Sequence, residues 1–255
     1  EVIGQSFRAT AAVAAAADAA LPLLIDAAKQ NKWPDRSAHN KADRAAYVAA
    51  STPPNPPKVD NLVDPAVVVG QMQKQLPPEA VLTSDAGNFF GWIGRYYQFR
   101  RPKTFLGPTS GAMGYAVPAA VAAAIVNGPS VPAVALAGDG GFLMTSNELA
   151  VAAQLGLPVK CIVFNNAMYG TIRLHQERTY PGRVAATEIW TPNLVDYAAA
   201  FGGIGVRVER NEDVAEGLRT ILEHDGIGIL EVAVARETIA VGQSLSNVTP
   251  KPRRR

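Results

Sequence analysis

Beyond Asp60 the apolar positions switch repeatedly between helical spacing and short unbroken runs. Asp64 as cap and Pro65 as first helical residue predict a helix to about Leu76, and Ala80 to Thr83 reads as a strand. A second helix fits Ala112 to Val126 and closes at Asn127-Gly128. Ala133 to Ala137 and Val159 to Phe164 are apolar without alternation, the pattern of strands buried on both faces. Between them, Thr145 and Glu148 have the spacing of a capping box for a helix ending at Gly156, where Pro158 blocks continuation. Helices are predicted further on over Asn193 to Phe201 and Asp213 to Glu223, with strands over Ile204 to Val208 and Gly228 to Val234. Such alternation predicts an α/β fold, a doubly wound, mainly parallel sheet with helices on both faces, whose ligands sit at the carboxyl ends of strands.

Upstream the pattern is weaker. Arg8 to Val13 is strand-like, and Asp18 can cap a helix from Ala19 to about Gln30 with Pro22 tolerated in its first turn. That helix needs a partner surface. From Asn31 to Asp60 periodicity fails, and Ser51-Thr52-Pro53-Pro54-Asn55-Pro56-Pro57 reads as a stiff extended linker. The expected organisation is a remnant of a preceding domain over 1–30, a linker over 31–59, a main domain over 60–240 and a basic tail over 241–255. A start at Glu1 with no lead-in to the first strand-like run looks cut from something longer.

Composition narrows the classes. The 48% hydrophobic content suits a globular core, and 24 Lys and Arg against 22 Asp and Glu name no partner. Part of that small excess is Lys251-Pro252-Arg253-Arg254-Arg255, read as a solvated tail, so no nucleic-acid partner is expected. Cys161, the single cysteine, lies in an apolar run and reads as an inert core thiol in a reducing compartment; disulfides and cysteine zinc sites are excluded. The longest apolar stretch, Ala112 to Val126, is too short for a bilayer and contains Gly114 and Pro118, so a cytoplasmic protein without a membrane span is expected. His39, in the linker, and His224, before the turn Asp225-Gly226, read as surface residues.

The candidate chemistry lies at two strand ends. Gly138-Asp139-Gly140-Gly141 follows one apolar run, and Asn165-Asn166 ends the next, placing Asn166 twenty-seven residues past Asp139. A loop carboxylate and a loop amide on neighbouring buried strands can hold a hard cation between them while glycine amides cradle a diphosphate. A hairpin turn is the rival for the Asp-Gly segment. A dinucleotide fingerprint fails at Leu143, no Gly-Lys-Ser or Gly-Lys-Thr supports a Walker loop, and an EF-hand would need oxygen ligands where Gly141 and Leu143 stand.

Taken together, the glycine-aspartate-glycine segment and its distant asparagine resemble the signature of thiamine-diphosphate-dependent enzymes. Thr109-Ser110-Gly111-Ala112-Met113-Gly114-Tyr115 followed by Pro118-Ala119-Ala120, then Phe142-Leu143-Met144-Thr145 and Glu148-Leu149, are similar to the acetolactate synthase branch. The resemblance covers about Asp60 to Ala235; Glu1 to Gln30 resemble, less specifically, the last strand and helix of the family's central domain. It implies the carboxyl-terminal portion of a three-domain transferase or lyase using thiamine diphosphate and Mg2+.

Residue by residue, the resemblance makes Asp139 and Asn166 magnesium ligands through side-chain oxygens and Met168 a ligand through its backbone carbonyl. It brings the amides of Gly140 and Gly141 to the phosphates, and Asn88 near the diphosphate, where an ordinary turn residue is the competing reading. Met113 becomes an apolar wedge under the cofactor, against the plainer reading of a core methionine at a helix start. Gly111, Gly138, Tyr169 and Gly170 complete the implied cofactor set. The cofactor would decarboxylate a 2-oxo acid substrate.

In the family, the glutamate that activates the pyrimidine sits in an amino-terminal domain with no counterpart here, and Glu148 reads as the capping residue. Alone, the chain is expected to bind cofactor weakly and turn over nothing. Its implied partner is a pyrimidine-binding domain of the same or a partner subunit, in a homodimer or homotetramer. Ala167-Met168-Tyr169-Gly170-Thr171-Ile172-Arg173-Leu174-His175-Gln176-Glu177 departs from the glutamine-rich version of acetolactate synthases. Tyr169 and His175 could face substrate there, and another 2-oxo acid decarboxylase or carboligase stays open. A cofactor-free binding or scaffold domain that keeps the fold is the alternative of a different class.

Overall fold

The computed structural model describes residues 3–55, 57 and 62–249. It divides into two compact units, 1–49 and 50–255. Lys251 to Arg255 lie outside the described residues.

The first unit carries helix α1 (Ala17–Lys29) and most of helix α2 (Ser37–Ala50), neither with a buried residue. Helix α2 falls within the stretch read as linker. Lacking a buried face, it shows no apolar period; six alanines, an i,i+4 contact of His39 with Asp43 at 3.3 Å, and an Asp35 carboxylate accepting the Ser37 N–H at 2.8 Å support it instead. Asp18 lies inside the first turn of α1 rather than at its cap, and Pro22 falls in the second turn, where its missing N–H breaks one helical bond. Arg8 to Val13 forms no strand, since its backbone groups meet no partner strand among the described residues.

The second unit opens with helix α3 (Pro65–Gln75), whose cap Asp64 accepts the Ala66 N–H at 2.9 Å as its sequence predicts. There follow β1 (Val81–Ser84), α4 (Phe90–Tyr96), β2 (Phe105–Leu106), α5 (Ala116–Asn127) and β3 (Ala133–Gly138). Next come α6 (Asp139–Thr145), α7 (Leu149–Leu155), β4 (Val159–Asn165), α8 (Gly170–Thr179) and α9 (Leu194–Ala200). The chain then runs through β5 (Ile204–Val208), α10 (Val214–Glu223), β6 (Gly228–Ala233), a hairpin of β7 (Thr238–Ala240) with β8 (Gln243–Ser244), and α11 (Leu245–Val248). The stretch from Gln243 to Val248, read as tail, is therefore structured.

Strands β1 to β6 form one sheet, wholly parallel, in the order β2-β1-β3-β4-β6-β5. Successive side chains of β3 enter opposite cores: Val134 and Leu136 join α3, α4 and α10, while Ala133, Ala135 and Ala137 meet α5. This burial on both sides is why β3 and β4 read as apolar runs without alternation, Lys160 near the amino end of β4 excepted. Cys161 is buried, and burial pushes its thiol up to about 12, the inert core thiol expected. Among the described residues no helix is long and apolar enough to cross a membrane.

Two local expectations fail for identifiable reasons. Helix α5 begins at Ala116, not Ala112, because Gly114 holds φ at +77°, outside the right-handed helical region. The Thr145 capping box does not form: Thr145 closes α6, and its hydroxyl donates to the Gly114 carbonyl at 2.9 Å, which leaves Glu148 without a capping role.

At the amino end of β4, Lys160 is 3% exposed and donates to the carbonyls of His224 and Gly226, each at 2.5 Å. His224 is thus no plain surface residue; its Nε2 is buried without a hydrogen-bond partner. Burial presses the Lys160 ammonium down to about 8, against the pull of Asp225. A depressed lysine is most favourable to folding above its unfolded value of 10.5, and the contribution is lost as pH falls through about 8. Stability should therefore gain about 2 kcal/mol between pH 8 and 10. Lys160→Met should lack that gain, and equal pH slopes of the two chains in urea unfolding would refute the coupling.

Candidate functional site

The carboxyl ends of β1, β3 and β4 deliver residues to one cleft, beside the point where the chain's winding reverses between β1 and β3. Asn88, Met113, Gly138 to Gly141, Asn166, Met168, Tyr169 and Gly170 all line it. Phe89, Trp92 and Phe164 give it an apolar wall, with the two phenylalanine rings stacked at 5.4 Å between centroids.

Asp139 is not a loop residue; it is the first residue of α6, directly after β3, which also removes the hairpin reading. Its Oδ1 accepts the Gly140 N–H at 2.8 Å, and its Oδ2 is buried with no hydrogen-bond partner. Burial pushes the carboxyl up to about 6, although backbone N–H groups of Gly140, Ala167, Met168 and Asn166 oppose the shift. Asn88 is its converse. Its Oδ1 accepts the Thr171 hydroxyl at 2.8 Å, and its Nδ2 is a buried donor with no acceptor.

The two asparagines at the end of β4 divide their tasks. Asn165 donates to Glu231 Oε1 at 2.7 Å and accepts the Ala167 N–H at 3.0 Å, so it serves the framework. Asn166 faces the cleft and accepts the Met168 N–H at 3.3 Å. Between them Ala167 takes φ +54°, in the left-handed region that alanine seldom occupies. This turn is tied down on its far side, where the Ile189 N–H donates to the Ala167 carbonyl at 3.1 Å and the Tyr169 N–H to Thr187 at 2.8 Å.

Both glycines after Asp139 are required by neighbouring protein groups. A methyl at Gly140 would stand 2.6 Å from Tyr169 Cε1, and one at Gly141 would stand 2.1 Å from Asp85 Oδ2. The Gly140 amide, moreover, is already held by Asp139. Met113 is 36% exposed in the turn before α5, so it is a cleft-wall residue rather than a core methionine on a helix. Gly111 lies outside the cleft lining, and its φ of +68° suits a turn. His175 is exposed on α8 and also outside the lining, whereas Tyr169 lies within it.

Asp85 is the polar residue that sequence reasoning passed over. It follows β1 as Asp139 follows β3, so its signal is the same, a carboxylate just past a buried strand, weakened here by the polar Thr83 and Ser84 that close the strand. The aromatic wall carried no such signal, because Phe89 and Trp92 sit in a segment without clear periodicity.

A family model described as thiamine pyrophosphate enzyme, C-terminal TPP binding domain, matches residues 85–232. The chain belongs to the thiamine pyrophosphate enzymes. That match includes every polar residue of the cleft named above. Within the family, the chain is 34% identical over 166 residues to an acetolactate synthase of Mycobacterium bovis, covering 63% of this chain and 27% of that protein. It is 31% identical over 164 residues to a sulfoacetaldehyde acetyltransferase of Castellaniella defragrans, covering 64% and 27%. A solved structure, the thiamine diphosphate-dependent 4-hydroxybenzoylformate decarboxylase of Rhodococcus jostii, superposes with a TM-score of 0.65 at 25% identity, covering 70% of this chain and 34% of that one. The chain thus spans about a quarter of the length of these curated relatives.

Among the described residues no three His, Cys, Asp or Glu side chains gather as a metal site. The set to weigh is instead one carboxylate, one amide and one backbone carbonyl, hard oxygen donors of the kind magnesium takes together with waters and phosphate oxygens. The unpaired Asp139 Oδ2 fits a cation, and the unpaired Asn88 Nδ2 fits an anion.

Proposed function

We propose that the cleft binds the diphosphate end of thiamine diphosphate with Mg2+, as part of a 2-oxo acid decarboxylase or carboligase resembling acetolactate synthase. The observation that carries this reading is the pair of opposite unmet needs in one cleft, the buried acceptor Asp139 Oδ2 and the buried donor Asn88 Nδ2. Leaving either without a partner costs about 1–3 kcal/mol, a cost that a metal and an anion together would lift. Asp139, the Asn166 side chain and the Met168 carbonyl would hold the metal. The bound cofactor supplies the electron sink for decarboxylation. The chain's own part would be to fix the diphosphate, to exclude water with Phe89, Phe164 and Trp92, and to offer Met113 as an apolar contact for the cofactor. Relatives bearing synthase, acetyltransferase and decarboxylase names leave the individual substrate outside this proposal.

The other half of the site would come from a pyrimidine-binding domain of the same or a partner subunit in a cytoplasmic homo-oligomer. Support comes from the neighbouring helices α5, α6 and α7, which expose Ile125, Val126, Met144, Val151 and Leu155. Large apolar side chains exposed on helices that pack together suit a surface covered by another domain.

Magnesium and thiamine diphosphate added together, near ten times the dissociation constant, should raise the melting temperature by roughly 3–5 °C. Neither alone should match that rise. Absence of any rise would favour a cofactor-free domain retaining the fold.

A further inference from the structure

Asp85 is only 2% exposed and ties two segments of the cleft to one carboxylate. Its Oδ1 accepts the N–H groups of Tyr115 and Ala116, each at 2.7 Å, while the neighbouring Ala86 N–H donates to the Ala112 carbonyl at 3.0 Å. Thr145, at the end of α6, donates its hydroxyl to the Gly114 carbonyl at 2.9 Å. Met113 is thereby flanked on both sides by anchored backbone, with its own side chain reaching into the cleft. The second Asp85 oxygen is buried without a hydrogen-bond partner and lies against Gly141, two residues past Asp139.

The geometry points to Asp85 as a positioning residue that fixes the Met113 turn relative to the Asp139–Gly141 turn, and so governs binding of the ring portion of thiamine diphosphate rather than its diphosphate. This inference rests on the cofactor reading above. A residue that merely capped α5 would act differently, since loosening that helix would weaken every ligand of the cleft alike.

Calorimetric titration of the 255-residue chain with thiamine diphosphate, and separately with inorganic diphosphate, each with magnesium, distinguishes the two roles. Asp85→Ala should weaken thiamine diphosphate about tenfold and inorganic diphosphate less than roughly twofold, with Asp85→Asn restoring most of the loss because it keeps an acceptor oxygen. Met113→Ala should show the same selectivity, and adding Asp85→Ala to it should cost less than about twofold more, because both changes act through one element. Equal weakening of the two ligands, or additive effects with Met113→Ala, would overturn the inference. Should Asp85→Ala not fold, Thr145→Val decides: it cuts the second tie and should weaken only thiamine diphosphate, by about threefold, and unchanged affinity overturns the inference. An unsubstituted chain that binds neither ligand overturns the cofactor reading and this inference with it; binding of both without the selectivity overturns the inference alone.

Discussion

Replacing Asp139 with asparagine is expected to stabilise the chain at neutral pH while removing its response to magnesium and thiamine diphosphate. The carboxyl titrates at about 6 in the folded chain against a reference of 3.8, because burial disfavours its charge. A raised carboxyl favours folding fully below the unfolded value, and that contribution is lost as pH rises through the folded one. Above pH 6, therefore, the folded chain carries a penalty of roughly 2–3 kcal/mol that asparagine does not. Asparagine keeps an oxygen for the Gly140 N–H, so the start of α6 is preserved. Urea unfolding should find Asp139→Asn more stable at pH 7 and nearly equal to the unsubstituted chain at pH 4. A variant that is less stable at pH 7, or a difference that does not change with pH, would sink this account. Thermal shift should meanwhile show that Asp139→Asn no longer responds to added metal and cofactor. Stability and ligand capture would then pull in opposite directions at one side chain, as is common where a site is held ready for charge.

Gly205→Ala should be among the most damaging single-methyl changes in the sheet unit. A methyl there would stand 2.4 Å from Val195 Cα and 3.1 Å from the Leu194 carbonyl, so β5 and the first turn of α9 would have to separate. Backbone cannot turn aside as a side chain can, and overpacking of this kind costs about 3 kcal/mol, or roughly 6–12 °C in melting temperature. The contrast is Gly70→Ala within α3, where the new methyl would meet only Pro53, its Cγ at 3.7 Å and Cβ at 3.9 Å. That change should be neutral or stabilising by up to about 1 kcal/mol, because alanine favours a helix interior. Differential scanning calorimetry of the two variants checks the pair, and similar melting temperatures would refute the steric argument. The site should survive in any folded Gly205→Ala chain, since β5 lies at the far edge of the sheet from β1.

What the sequence disclosed, and what it hid, follow from where each residue's partners lie. Strands β3, β4 and β6 were legible because burial on both faces leaves a mainly apolar run, broken only by the buried Lys160 in β4, ahead of its strand-end Asn165, and by the buried Glu231 in β6, and α3 because its cap and proline are adjacent. Helix α2 stayed hidden because it buries nothing and so has no face to betray it. The capping box at Thr145 was misread because a carbonyl 31 residues away, on Gly114, takes the hydroxyl that local spacing assigned to the helix. The cleft shows the same division. Asp139 and Asn166 stand at strand ends and were found, whereas Asp85 stands at one too but follows the polar pair Thr83-Ser84, which blurs the end of its strand. The glycines were found for one reason and are required for another, since contacts from Tyr169 and Asp85 across the fold forbid a side chain there.

The left-handed turn at Ala167 also bears on timing. Alanine held there costs about 1–2 kcal/mol over a relaxed backbone, a cost already met before any ligand arrives. On the proposed reading, Asn166 and Met168 would meet the metal from a loop whose shape is settled in advance, leaving little ordering entropy to lose at encounter. Such preorganisation would put the tightness of capture in the covalent chain itself rather than in a closing motion.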